Sequence, residues 1–197
     1  MTEEIGKEEL KEFYNKGTLA FERKNYEYAI EIFSQILSSR YDHLEARHYL
    51  HLSLKNKIGV ASSFITNTLN SINRFIGILS SEALMKKGNT QEALEKLEKI
   101  IAGNPYDICA LKKIAELFYK KGLIPHAIQN LEEAKSINPN DTGVLKKLGE
   151  VYLKKEDYKT AKSNYEQALK INPKDTEVSR SLKNLDALGT IQREFGS

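Results

Sequence analysis

The residues best able to do chemistry in this chain of 197 are four histidines and one cysteine. Glu45, His48 and His51 stand three apart, so on a helix they share a side, with His43 just ahead of them. Two imidazoles and a carboxylate can begin a zinc site. Zinc ordinarily takes four ligands, however, and no cysteine lies nearby in sequence, so these histidines read as solvated surface residues and no metal is expected. Cys109 is the only cysteine, which excludes an intrachain disulfide. It falls near a predicted helix start, where the dipole lowers a thiol pKa, yet no partner suggestive of an activated thiol adjoins it. It reads as an inert, partly buried thiol. Gly88 and Gly122 are isolated, with no glycine loop to cradle a phosphate and no nucleophile motif. No catalytic residue, enzyme activity or cofactor is expected.

The elements that carry these residues belong to a folded chain, 40% hydrophobic and 29% charged. Thirty basic and 27 acidic residues give a net charge of +3 and are evenly spread, so no nucleic-acid footprint stands out. Met1-Thr2-Glu3-Glu4 lacks the basic start and apolar run of a secretory signal, and a cytoplasmic location is expected. Gly196-Ser197 has the look of a cloning remnant, so a longer natural chain is allowed for. Residues 58 to 81 carry only one charge, Arg74, but their serines, threonines and asparagines make them too polar to span a membrane. A membrane-surface face there would ordinarily carry lysines.

A spacing of 34 organises the rest. Asn104-Pro105, Asn138-Pro139 and Asn172-Pro173 are each followed by an aspartate, Asp107, Asp141 and Asp175. Ala93, Ala127 and Ala161 share a phase, as do Leu97, Leu131 and Tyr165, and the small residues Ser81, Ala115 and Gly149. Each unit predicts a helix hairpin: an aspartate caps the first helix, a Lys-Lys-Gly or Lys-Glu-Asp break follows, and proline ends the second. A hairpin of this kind cannot hide its apolar face alone and must stack on copies of itself.

Leu145, Leu148-Gly149, Tyr152, Tyr158, Ala161, Tyr165, Ala168 and Pro173 resemble the tetratricopeptide-repeat pattern. The resemblance implies an all-α fold, a right-handed α-solenoid of antiparallel helix hairpins. Three units run over 74–107, 108–141 and 142–175. A fourth fits 10–43 through Phe13, Gly17, Ala20, Tyr26, Ala29, Phe33 and Ile36, with Tyr41 where the proline would be. Residues 44–73 read as a degenerate unit with a first helix over 43–56 and a second from Ile58; a turn at Asn70 to Asn73, with Asn73 capping the next helix, is favoured over one long helix across 58–87. A capping helix over 176–188 closes a single domain of 1–188, leaving 189–197 as a tail.

In such proteins the first helices line a concave groove, and the resemblance places its positions here. They are Tyr14 and Phe21 in the N-terminal unit, then Ile78, Glu82 and Met85, then Lys112, Glu116 and Tyr119, then Lys146, Glu150 and Leu153. Apolar anchors mixed with both charges imply a scaffold that binds a peptide or helix of a partner protein. The structural alternative for the ions is i,i+4 pairing of Glu82 with Lys86, Glu116 with Lys120 and Glu150 with Lys154. Some relatives clamp acidic chaperone tails through basic groove residues. Tyr14, Thr18, Glu116 and Glu150 depart from that set, so carboxylate would meet carboxylate. The other functional expectation is self-assembly into a homo-oligomer through residues 58–79 or the terminal helices.

Overall fold

The computed structural model describes residues 7–65 and 71–195, and among these it contains ten helices and no strand. They are α1 (Lys7–Glu22), α2 (Tyr26–Ser39), α3 (Leu44–Ile65), α4 (Ser71–Lys86), α5 (Thr90–Gly103), α6 (Ile108–Lys120), α7 (Ile124–Ile137), α8 (Thr142–Lys154), α9 (Tyr158–Ile171) and α10 (Thr176–Phe195). The helices group into two compact units that divide within α6, one up to Lys113 and one from Ile114.

The repeated turns are built alike, as local chemistry requires. Asp107, Asp141 and Asp175 each accept the backbone N–H three residues ahead, from Ala110 at 3.0 Å, Val144 at 2.9 Å and Val178 at 3.0 Å. Each aspartate also donates its own N–H to the carbonyl of Asn104, Asn138 or Asn172. The turn before α3 follows the same plan with other chemistry. There His43 Nδ1 accepts the N–H of Ala46 at 3.2 Å. Four hairpins bend through a residue of positive φ: Lys24 at 60°, Gly88 at 83°, Gly122 at 75° and Glu156 at 65°.

In the N-terminal unit α1 packs on α2, α2 on α3 and α4 on α5, with weaker contacts of α3 to α1 and α5. The core is Ala29, Ile32, Phe33 and Ile36 of α2, Ala46, Leu50 and Leu54 of α3, and Ala93, Leu94, Leu97 and Ile101 of α5. In the C-terminal unit α7, α8, α9 and α10 pack in succession. Val178 of α10 joins Leu145, Tyr165 and Ala168 in one buried cluster. The closing helix continues to Phe195, beyond the expected end at 188.

The stretch after 44 departs from the expected hairpin. α3 is one helix of 22 residues that runs through Asn56 and Ile58 without a break. Nothing there forces a turn, since the segment has no proline. Asn73, expected as a cap, lies inside α4, while residues 66–70, where a turn or a continuous helix would be decided, lie outside the described residues. Arg47 and His51 meet Glu98, and Lys55 lies over the ring of Tyr106, so α3 passes α5 in the same sense. Like runs parallel to like in a hairpin stack. α3 therefore follows the first hairpin as a first helix would, and faces α5 as a second helix.

Candidate interaction surface

In the C-terminal unit the expected groove positions come from α6 and α8. Tyr119, next to the last residue of α6, is 37% exposed, the most open large apolar side chain among the expected positions. Leu153 holds the corresponding place in α8 and is half-buried, as are Glu116, Lys146 and Glu150. Glu116 pairs with Lys120 at 2.8 Å, the i,i+4 arrangement expected of an isolated helix. Lys146 is bound by Glu177 of α10, and that hydrogen bond raises the ammonium pKa. Much of the local cationic charge is thus already answered within the chain.

Rigid packing lies beneath these residues. A Cβ built on Gly149 would stand 2.3 Å from Cε1 of Tyr165, so the glycine is what admits the ring. Tyr165 is 1% exposed, and its hydroxyl pKa is pushed up to about 12, first by burial and then by the charge of Glu150. The Tyr152 hydroxyl donates to Glu132 at 2.9 Å and so ties α8 to α7; burial, followed by that bond, raises its pKa.

The N-terminal unit holds the other expected positions in a different setting. Tyr14 and Phe21 are half-buried in an aromatic cluster that joins α1, α2 and α3. Tyr14 stacks on His43 at 5.5 Å and meets Phe33 and Tyr49 edge-on at 6.1 Å. Phe21 meets Tyr49 at 5.3 Å and Tyr26 at 5.7 Å. Burial, then the neighbouring Tyr49 and Glu45, raises the Tyr14 hydroxyl pKa. Ile78, Glu82, Met85 and Lys112 are half-buried, and Glu82 reaches across to Lys113 at 2.5 Å.

The histidines are not a set of surface ligands. His48 is exposed, but His51 is 2% exposed and faces Glu98 at 3.3 Å. Arg47, 1% exposed, pairs with the same carboxylate and donates to the Tyr41 carbonyl at 2.8 Å. This buried arginine, glutamate and histidine group was not foreseen. The signal for it was Arg47 and His51 four apart, flanking the apolar Ala46, Leu50 and Leu54, with Glu98 between Leu97 and Ile101. Beside it a pocket of roughly 320 Å³ opens between α2 and α5 over α3, its walls including Leu37, Tyr41, Leu50 and Leu94. Cys109 is half-buried in the first turn of α6.

Stacked helix hairpins with a repeated cap and turn define a helical-repeat protein. Residues 144–175 match the family model described as Tetratricopeptide repeat. The fold of the chain is similar to the first such domain of Spaghetti (RPAP3), solved bound to an HSP90 peptide, at 18% identity over 59% of this chain and 92% of that one, with a TM-score of 0.55. The domain of Sgt2 from Aspergillus fumigatus is similar at 18% identity over 61% and 82%, with a TM-score of 0.57. MamA is similar over 94% of this chain and 85% of that one at 16% identity, with a TM-score of 0.50. No curated protein matches the sequence. No described helix is long and apolar enough to cross a membrane.

Proposed function

We propose that the protein is a scaffold whose first-helix face binds an extended peptide or a helix of a partner protein. In the C-terminal unit Tyr119 and Leu153 anchor it, and Glu116, Lys146 and Glu150 set its register. The observation that carries this reading is the exposure of Tyr119 on a helix whose Leu111, Ile114, Leu117 and Phe118 are at most 2% exposed. An aromatic side chain left in solvent beside a packed core is the kind of residue that dominates binding when a partner covers it. In the N-terminal unit the reading gives Tyr14 and Phe21 a supporting part, because their rings already have partners in the aromatic cluster. Ile78, Glu82, Met85 and Lys112 are that unit's other first-helix positions.

The RPAP3 domain was solved with an HSP90 peptide. For this chain an acidic tail is the wrong ligand: Lys146 is engaged by Glu177, Lys120 by Glu116, and Glu150 adds a further carboxylate. Acid against acid would repel. The test is partner capture from a lysate by the wild type beside a Tyr119→Ala, Leu153→Ala double variant of equal mass and helicity. A protein retained by the first and lost by the second supports the groove, and an acidic, carboxylate-ended peptide in the same assay should bind neither. Identical capture by both proteins would remove the groove reading.

A further inference from the structure

We infer that the hollow at the start of α10, where Lys174, Arg180 and Lys183 converge, binds a phosphorylated serine or threonine side chain of a partner protein. It is a cavity of roughly 370 Å³ bounded by the turn at Pro173 and the first turns of α10, and Thr176 and Ser179 line it too. Ser179 and Arg180 precede Lys183 by four and three residues, so the three share one side of the helix. Lys174 reaches the same space from the turn.

The cations are left bare although acids stand close by. Glu177 lies three residues before Arg180 and Asp186 three after Lys183, spacings at which helix ion pairs form. Both acids are committed elsewhere: Glu177 holds Lys146 of α8, and Asp186 holds Lys162 of α9 at 2.6 Å. Asp175, the one carboxylate in the hollow, caps α10, its Oδ1 accepting the N–H groups of Glu177 at 3.1 Å and Val178 at 3.0 Å. Among the described residues Lys174, Arg180 and Lys183 make no ion pair, and all three are exposed. Three cations against one carboxylate leave the hollow positive.

Comparison along the repeat shows how the space arises. One period before Ser179 and Lys183 stand Leu145 and Gly149, and two periods before them Leu111 and Ala115, all buried. Gly149 is where the ring of Tyr165 seats the second helix on the first. A lysine at that place keeps a further helix off and puts an ammonium group beside the Ser179 hydroxyl instead. The donor set then selects among anions. Arg180 offers a planar fork, two ammonium groups add point charges, and two hydroxyls can donate, which is more than the two oxygens of a carboxylate can engage. A phosphomonoester brings three oxygens and close to two negative charges. The compact hollow takes one such side chain, whereas a nucleic-acid backbone would call for an extended basic stripe. None of the proposed groove residues takes part.

Fluorescence anisotropy of the full chain with a labelled Ala-Ala-phosphoserine-Ala-Ala peptide, beside its serine and glutamate counterparts, is the test. The phosphopeptide should bind about tenfold or more tighter than either counterpart. Arg180→Gln with Lys183→Gln should weaken it by about tenfold or more. Lys11→Gln with Lys96→Gln removes the same charge from exposed sites elsewhere and should leave binding unchanged, as should Tyr119→Ala with Leu153→Ala. In case the first variant misfolds, Ser179→Asp gives a second reading: a carboxylate in the hollow should abolish binding in a protein of wild-type helicity. Equal binding of the three peptides, no loss at Arg180 and Lys183, or an equal loss at Lys11 and Lys96 would each overturn the proposal. Inorganic phosphate bound as tightly as the phosphopeptide would make the free ion the ligand, and an oligouridine bound more tightly and lost on the same changes would give the hollow to nucleic acid. Either result would equally overturn it.

Discussion

At Gly149 the missing side chain lets α9 lie close against α8. A methyl there would stand 2.3 Å from a ring that is only 1% exposed, and the ring has little room to yield. Gly149→Ala should therefore cost about 2 kcal/mol net, overpacking outweighing the helix propensity gained, in denaturant unfolding. Gly103→Ala, with nothing within 4 Å of its Cβ position, should cost nothing or stabilise by a few tenths of a kcal/mol. Tyr165 also sets an alkaline limit. Its native pKa is raised to about 12, so the folded state holds the proton more tightly than the unfolded chain. That contribution is complete below about pH 10 and is lost as pH rises from there through 12. Unfolding midpoints measured from pH 9 to 11.5 should fall more steeply for the wild type than for Tyr165→Phe; equal slopes would refute the assignment. Cap chemistry at this scale was readable, because Asp107, Asp141 and Asp175 act on amides three residues ahead. The surroundings of Tyr14 and Phe21 were not, because Tyr49 and His43 reach them from beyond their own hairpin.

Among the elements, α3 separates what the sequence showed from what it concealed. The expected hairpins bend where a glycine or another residue takes positive φ, and those turns are visible as Lys-Lys-Gly and Lys-Glu-Asp. α3 contains no such turn, and apolar spacing on both sides of Ile58 suits one helix as well as two. Its attachment to α5 was concealed for a second reason: charged residues usually read as solvent-facing, whereas Arg47 and Glu98 turn inward together. Removing the carboxylate leaves Arg47 charged and buried without its acidic partner. Glu98→Ala should therefore destabilise the protein by about 3 kcal/mol in urea unfolding, and an effect below about 1 kcal/mol would mean that the guanidinium is satisfied elsewhere.

Over the whole molecule, the period of 34 made the all-helical repeat fold legible, since the same residue types return at the same phase in three successive units. Function was less legible, because a repeat records its packing residues many times and its binding residues only once. Phase proposes Tyr119 and Leu153 as groove positions, whereas the exposure of Phe75 and Leu79 shows only in the folded chain. The buried ion pair also governs how the chain can be divided. The helices α1 to α3 look like a module that could be excised, but their Arg47 is neutralised by a residue about fifty positions further on. A fragment ending with α3 would have to bury a guanidinium without that carboxylate, or expose the core around it. A minimal N-terminal fragment that keeps this ion pair therefore extends past Glu98.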